Sequence, residues 1–179
     1  MGRLALGLVA AVFSLAAGQD EMIDNPEYTG WAGQKAGAWV KYKTDMDAGG
    51  MKMESTTTSK LKEISAEKAV IEQSTEMDMG GQKRTMNMPA RNVPAKVKKG
   101  TDSEGSKVEI IAEGDEEIEV KGTKYKCHWV EMKMETKQGG TVNMKVWRTD
   151  KIIGGAAKMT MKNDKMNMTL TVLDWKAGE

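Results

Sequence analysis

The 179-residue sequence predicts a mainly β protein, built as a curved antiparallel sheet in the form of a half-barrel with a short N-terminal helix. From residue 38 onward, apolar and polar residues alternate with a period of two, which is the pattern of half-buried strands. Glycine-rich turns separate the alternating segments, as they do in β-hairpins. The apolar side also changes parity near Trp129, Trp147 and Leu173. A strand with such a change is bulged, bent or buried on both faces, so the sheet is predicted to curve strongly.

The first 18 residues have the layout of a secretory signal peptide. Arg3 precedes an uncharged apolar run of 14 residues from Leu4 to Ala17, and small residues follow. A run of this length is shorter than the roughly 20 residues that a membrane-spanning helix needs. We therefore predict that residues 1–18 are removed. The mature chain is expected to be periplasmic or extracellular, without a stable membrane span.

The next segment, residues 19–37, is predicted to contain the helix. Asp24 or Asn25 supplies the cap. Pro26 suits the first helical position, and Glu27 lies in the first turn. Glycines that follow shortly afterwards are expected to keep the helix short.

The remaining residues, 38–179, form the predicted antiparallel β domain with about nine or ten strands. Residues 89–105 hold two of the three prolines in the chain. We predict that this stretch is a long irregular connection, because proline cannot donate to the hydrogen-bond ladder of a sheet.

Charge and motifs exclude several classes of function. The chain has 27 basic and 26 acidic residues, and Arg3 lies in the predicted signal peptide, so the mature chain is balanced. Such a balance argues against a nucleic-acid partner, which needs a basic patch. The sequence also lacks a Ser/His/Asp elbow, a phosphate-binding glycine loop and zinc-ligand spacing. It predicts a protein that is not an enzyme and has no cofactor.

The single cysteine and the single histidine are neighbours, Cys127 and His128. Consecutive residues of a strand point to opposite faces, so these two cannot act as nucleophile and base or chelate one metal ion. Cys127 shares its side with Tyr125 and Trp129 and is predicted to be buried, whereas His128 is predicted to be exposed.

Methionine forms the most unusual pattern of the sequence. Six times, two methionines stand two residues apart: Met51/Met53, Met77/Met79, Met86/Met88, Met132/Met134, Met159/Met161 and Met166/Met168. Residues i and i+2 of a strand lie on one face, so each pair is predicted to share a face.

Three interpretations of these pairs remain open. In the simplest, methionine fills apolar positions of amphipathic strands that form a core. In the second, thioether sulfurs bind Cu(I), with candidate ligands Met132, Met134, Met159, Met161, Met166 and Met168. In the third, an adaptable apolar face of a curved sheet accepts an acyl chain, with candidate residues Met53, Met79, Met88, Met132, Met134, Trp147, Met159 and Met161.

A resemblance rests on three stretches of the sequence: NPEYTGWAGQKAGAWVKYK, EGDEEIEVKGTKYKCHWVE and KVWRTDKIIGGAAKM. They resemble a group of uncharacterised exported bacterial proteins of the planctomycete type, although Ile152 and Ile153 stand where such sequences tend to have Val-Pro. The strand pattern is also similar in architecture to periplasmic lipoprotein carriers of the LolA/LolB-like type, a curved half-barrel with a helical lid over an apolar cavity. This resemblance implies an apolar ligand.

Together, these observations predict a non-enzymatic exported protein that binds or carries an apolar ligand, or a lipidated or envelope partner. Cu(I) binding by paired methionines is one alternative. A structural envelope domain without a small ligand is the other.

Overall fold

The computed structural model describes residues 21–79, 82–101, 107–135 and 140–179, so the predicted signal peptide lies outside the described residues. Within these ranges the chain forms eleven strands and one helix. The helix is α1 (Pro26–Thr29), and the strands are β1 (Met22–Asp24), β2 (Trp39–Ala48), β3 (Met51–Ile64), β4 (Lys68–Met79), β5 (Gln82–Pro94), β6 (Lys96–Lys98), β7 (Val108–Val120), β8 (Thr123–Glu135), β9 (Thr141–Arg148), β10 (Ala156–Lys162) and β11 (Met166–Lys176).

Nine strands form one antiparallel sheet in the order β5-β4-β3-β2-β11-β10-β9-β8-β7. Strands adjacent in sequence pair as hairpins, and the pairing of β2 with β11 joins the two halves of the chain. Strands β1 and β6 pair separately as a small two-stranded sheet. The predicted mainly β, antiparallel fold class with one short N-terminal helix is confirmed.

Two of the predicted glycine turns adopt the geometry that closes tight hairpins. Gly49 and Gly50 join β2 to β3, and Lys121 and Gly122 join β7 to β8, all with positive φ. Positive φ at both central residues is the mark of a type I′ turn, whose twist matches that of the flanking strands.

The predicted parity changes have two physical origins. At Leu173 the register between β2 and β11 shifts, so this strand is bulged, which is one of the three predicted possibilities. Val146 and Trp147 are instead consecutive and both buried, so β9 is covered on both faces at this point.

Helix α1 starts as the sequence predicts. The side chain of Asn25 accepts a hydrogen bond from the backbone N–H of Glu27 at 3.0 Å, and Pro26 occupies the first turn. Within the described ranges, the structure has no helix with the length and apolarity that crossing a bilayer requires.

Two segments pack over one end of one sheet face, and we call them the cover: residues 25–33, which include α1, and residues 149–155. The backbone N–H of Gly154 donates to the carbonyl of Gly30 at 2.9 Å and joins the two segments. Trp31 and Ile152 of the cover join a cluster of buried side chains that also includes Val40, Leu61, Ile71 and Val93 of the sheet.

The prediction of an irregular connection at residues 89–105 is wrong in its first part. Strand β5 continues through Pro89 to Pro94 and pairs with β4. It is an edge strand, and proline is tolerated there because its missing N–H faces away from the ladder. The following residues, 96–98, form strand β6.

Candidate functional site

One face of the large sheet carries almost every methionine of the described chain. Residues directly opposite each other in neighbouring strands lie on the same face, so the registers fix which side chains share it. We call it the methionine face, and its methionines are Met46, Met51, Met53, Met77, Met86, Met88, Met132, Met134, Met144, Met159, Met161, Met166 and Met168.

Six of these methionines stand in register across six consecutive strands. We call them the methionine row, which in the order β3-β2-β11-β10-β9-β8 consists of Met53, Met46, Met168, Met161, Met144 and Met132. At the β7 end the row continues into Ile110, which lies opposite Met132.

The methionine face is not a packed core. None of the methionines of this face is among the buried residues, and Met51, Met86 and Met88 remain 65%, 47% and 48% exposed. The side chains under the cover contrast with them, since Leu61 and Ile71 are fully buried. The cover therefore shields one end of the face from solvent and leaves the methionine-rich end exposed to solvent.

A cavity of about 410 Å³ lies where the cover meets the methionine face. Side chains from β5, β4, β3, β2, β11, β10 and β9 line it, together with residues of the cover. Seven strands of a flat sheet would span about 29 Å at a spacing of about 4.8 Å, too far for one small cavity to touch them all. The sheet is therefore curved, with the methionine face on the inside.

The two walls of the cavity differ in polarity. Met144, Val146, Met159 and Leu170 form an apolar wall on β9, β10 and β11. The opposite wall, on β3 and β4, carries Thr57, Ser59, Gln73 and Thr75. These polar side chains satisfy one another across the two strands: the hydroxyls of Thr57 and Thr75 are 2.9 Å apart, and Gln73 Nε2 donates to Ser59 Oγ at 3.0 Å.

Charged groups close the inner end of the cavity beneath α1. Arg91 on β5 makes a bidentate pair with Glu27 of α1, one bond of which joins Nη1 to Oε2 at 3.0 Å. Arg148 on β9 donates to the carbonyl of Pro26 at 3.3 Å. Burial lowers the pKa of the Arg148 guanidinium, an effect that Glu27 opposes. Burial likewise raises the pKa of Tyr42, which lines the same end, well above its usual value near 10.

The structure places most of the predicted ligand-face residues on one face of the sheet, although of these only Met88 and Met159 line the cavity. Six of the eight lie on the methionine face: Met53, Met88, Met132, Met134, Met159 and Met161. The backbone of Met79 pairs with Gln82 at the end of β4, but its side chain lies outside the described residues.

Trp147 does not lie on the methionine face. It follows Val146 in a regular strand and stands opposite Lys158 and Trp129, so it occupies the other face. There its indole N–H donates to the carboxylate of Glu116 at 2.7 Å, and Lys145 and Lys158 lie over its ring.

The predicted Cu(I) ligand set is divided by the register. Met132, Met161 and Met168 belong to the methionine row, whereas Met134, Met159 and Met166 lie on the same face outside it, opposite Val142, Leu170 and Ala48. Pair spacing missed Met46 and Met144, which stand singly in the sequence but complete the row. The period-two alternation around them was the signal that would have found them.

Cys127 and His128 occupy opposite environments, as predicted. Cys127 is 1% exposed, and burial raises the pKa of its thiol. His128 is exposed, with Nδ1 3.2 Å from the carboxylate of Asp115. Among the described residues, His, Cys, Asp and Glu form no group of three or more that could hold a metal ion.

Comparison with known proteins found architectural similarity at low identity. No protein-family model matches the chain. No curated protein matches it either. A Bacteroides fragilis structure, described as an exported protein with a YmcC-like fold, is 10% identical, with 80% of this chain and 97% of that chain covered and a TM-score of 0.43. LprF of Mycobacterium bovis is 12% identical, with coverages of 87% and 91% and a TM-score of 0.38. A Vibrio parahaemolyticus domain described as an outer membrane lipoprotein-sorting protein domain is 8% identical, with coverages of 84% and 88% and a TM-score of 0.39.

Proposed function

We propose that this chain is an exported, non-enzymatic binding protein that carries an acyl chain, of a free lipid or of a lipidated envelope partner, on the methionine face. The observation that supports it most directly is an apolar face that is exposed at one end and forms a partly covered cavity at the other. The volume of the cavity, about 410 Å³, lies within the usual range for small-molecule sites, about 300–1,000 Å³.

The two cavity walls suit an amphipathic ligand. An acyl chain laid along Met144, Met159 and Leu170 gains about 0.8 kcal/mol for each methylene removed from water. Methionine has an unbranched, flexible side chain, so this wall can adapt to chains of different shape. The hydroxyls of Thr57 and Thr75 already pair with each other, and Gln73 Nε2 pairs with Ser59, which lowers the cost of covering this wall with an acyl chain.

Binding of cis-parinaric acid, a fluorescent fatty acid, tests the proposal. Two variants are compared, each of which adds one positive charge, the first to the methionine face and the second to the other face of the sheet. Met159→Lys puts an ammonium group against the apolar wall and is expected to weaken binding by at least about tenfold, since desolvating it costs more than about 1.4 kcal/mol. Thr169→Lys adds the same charge to the other face, opposite Thr160 and Asp45, and is expected to leave the affinity unchanged.

Thermal unfolding of both variants checks that the fold is retained. Equal affinities in both variants, or no fluorescence enhancement with the unmodified protein, would show that the methionine face does not hold acyl chains. That result would favour a structural envelope domain without a small ligand.

A further inference from the structure

The methionine row has a geometry that goes beyond an apolar surface. Met161 on β10 stands directly opposite Met144 on β9 and directly opposite Met168 on β11. Three thioethers therefore lie side by side on three consecutive strands of the concave face, and Met132 and Met46 extend the series by one strand in each direction.

Distances within a sheet allow these sulfurs to meet. Directly opposite residues have Cβ atoms about 4.5–5.5 Å apart, close enough for long side chains to touch. Methionine has three rotatable side-chain bonds with which to place its sulfur, and the inward curvature brings neighbouring side chains together. The three side chains are partly exposed, so an ion can reach them without unfolding of the sheet.

The chemistry of this donor set selects a soft, low-charge metal ion. Thioether sulfur is neutral and prefers Cu(I), whereas Mg²⁺ and Ca²⁺ require oxygen ligands. A neutral donor set leaves the charge of the ion uncompensated, which favours a monovalent ion over a divalent one. Arg84, Arg91 and Arg148 lie on this face outside the methionine row, at positions opposite Met77, Ile71 and Ala156.

We propose that Met144, Met161 and Met168 bind one Cu(I) ion as a three-thioether site, with Met132 or Met46 able to supply a fourth sulfur. The ion is bound as Cu(I) without a redox step. Because thioethers carry no proton, binding releases none. Of these ligands, Met144 also lines the acyl-binding cavity, whereas Met161 and Met168 lie outside it.

Anaerobic titration of the purified protein with Cu(I), in competition with the chromophoric chelator bicinchoninate, measures the site. The double variant Met161→Leu/Met168→Leu is expected to weaken Cu(I) binding by at least about tenfold. Removing even a group that only hydrogen-bonds to a metal ligand typically costs at least about tenfold in metal affinity. The matched control Met86→Leu/Met88→Leu removes two thioethers from the same face on β5, outside the row, and is expected to keep the affinity.

Two further readouts exclude other donors. Affinity is expected to be equal at about pH 6 and pH 8, whereas a site that uses the Cys127 thiol must lose a proton and binds more tightly at the higher pH. X-ray absorption is expected to show sulfur ligands alone, at a Cu–S distance typical of thioethers.

Several results would overturn the proposal: no binding that withstands the chelator, equal losses in the row and control variants, or abolition by Cys127→Ser. The acyl-binding proposal is tested separately, because leucine is as apolar as methionine. The two proposals fail in different assays: cis-parinaric acid binding to the unmodified protein tests the acyl site, and Cu(I) titration against bicinchoninate tests the thioether site, so loss of one is distinguishable from loss of the other.

Discussion

The covered end and the open end of the methionine face belong to the same strands, yet they use different apolar residues. Under the cover, Val40, Leu61 and Ile71 are fully buried. At the open end the same strands carry methionines, among which Met51 and Met53 are 65% and 38% exposed. Branched side chains with few rotamers suit an interior whose shape is fixed, whereas methionine suits a surface whose partner can vary.

This difference separates folding from binding within one sheet face. The covered end contributes to stability because its side chains are removed from water on folding. The open end leaves apolar area exposed after folding is complete, so its burial is available to a ligand. The following predictions test that separation, from the largest expected effect to the smallest.

Matched truncations on β3 provide the strongest test. Leu61→Ala at the covered end is expected to lower the free energy of unfolding by about 2–5 kcal/mol, because it leaves a cavity in a buried cluster. Met51→Ala, on the same strand at the exposed end, is expected to change it by no more than about 0.5 kcal/mol. Urea unfolding with unchanged m-values measures both. Comparable losses would mean that the open end is also part of the stabilising core.

A second test displaces the cover without touching the sheet. A Cβ atom on Gly30 would lie 2.4 Å from the backbone carbon of Gly154, so Gly30→Ala forces the two segments of the cover apart. We expect a loss of about 1–3 kcal/mol, the usual cost of overpacking. Protection of the Gly154 amide against hydrogen exchange should fall, because this N–H donates to the carbonyl of Gly30.

Gly33→Ala is the control for that change. A Cβ there meets nothing within 4 Å, although its φ of +80° makes the substitution conformationally costly. Backbone strain is expected to lower the free energy of unfolding by about 1–2 kcal/mol. Protection of the Gly154 amide against hydrogen exchange should fall by no more than this loss of global stability. Selective loss of Gly154 protection in Gly33→Ala would contradict this account of the cover.

The sequence predicts the faces of individual strands well, because alternation with a period of two is a local property. It therefore places both members of each methionine pair on one face and predicts the start of α1 at Pro26. It cannot predict the methionine row, since Met46 and Met168 become neighbours only through the pairing of β2 with β11, more than a hundred residues apart. Strand order depends on such long-range contacts.

Two errors have equally specific causes. The prediction that Trp147 belongs to the ligand-binding face is wrong because Val146 and Trp147 are consecutive, and alternation alone does not say which of them faces the cavity. The prediction that residues 89–94 are irregular rests on the prolines at both ends of this stretch. Their position at the edge of the sheet, which sequence does not reveal, removes the objection.

The last prediction uses Tyr42, a titratable group that the cover holds away from water. Its pKa is raised mainly by burial, with an opposing effect from Arg148 and a further increase from Glu27. Above about pH 10 the unfolded chain releases this proton while the folded chain retains it, so rising pH favours unfolding. The stability that Tyr42 contributes is therefore complete below about pH 10 and is lost progressively as the pH rises above it.

Tyr42→Phe removes this proton and should flatten the alkaline part of the stability curve by up to about 1.4 kcal/mol per pH unit, with little pH-dependent difference from the unmodified protein near neutrality. Lysine titration affects both proteins equally and cancels in the difference. Urea unfolding at intervals from about pH 8 to pH 11.5 measures it. Parallel curves would mean that water reaches Tyr42 in the folded protein. The cover would then exclude water from Tyr42 no better than the open end does. The contrast between a fixed interior and an adaptable binding face would not hold at Tyr42.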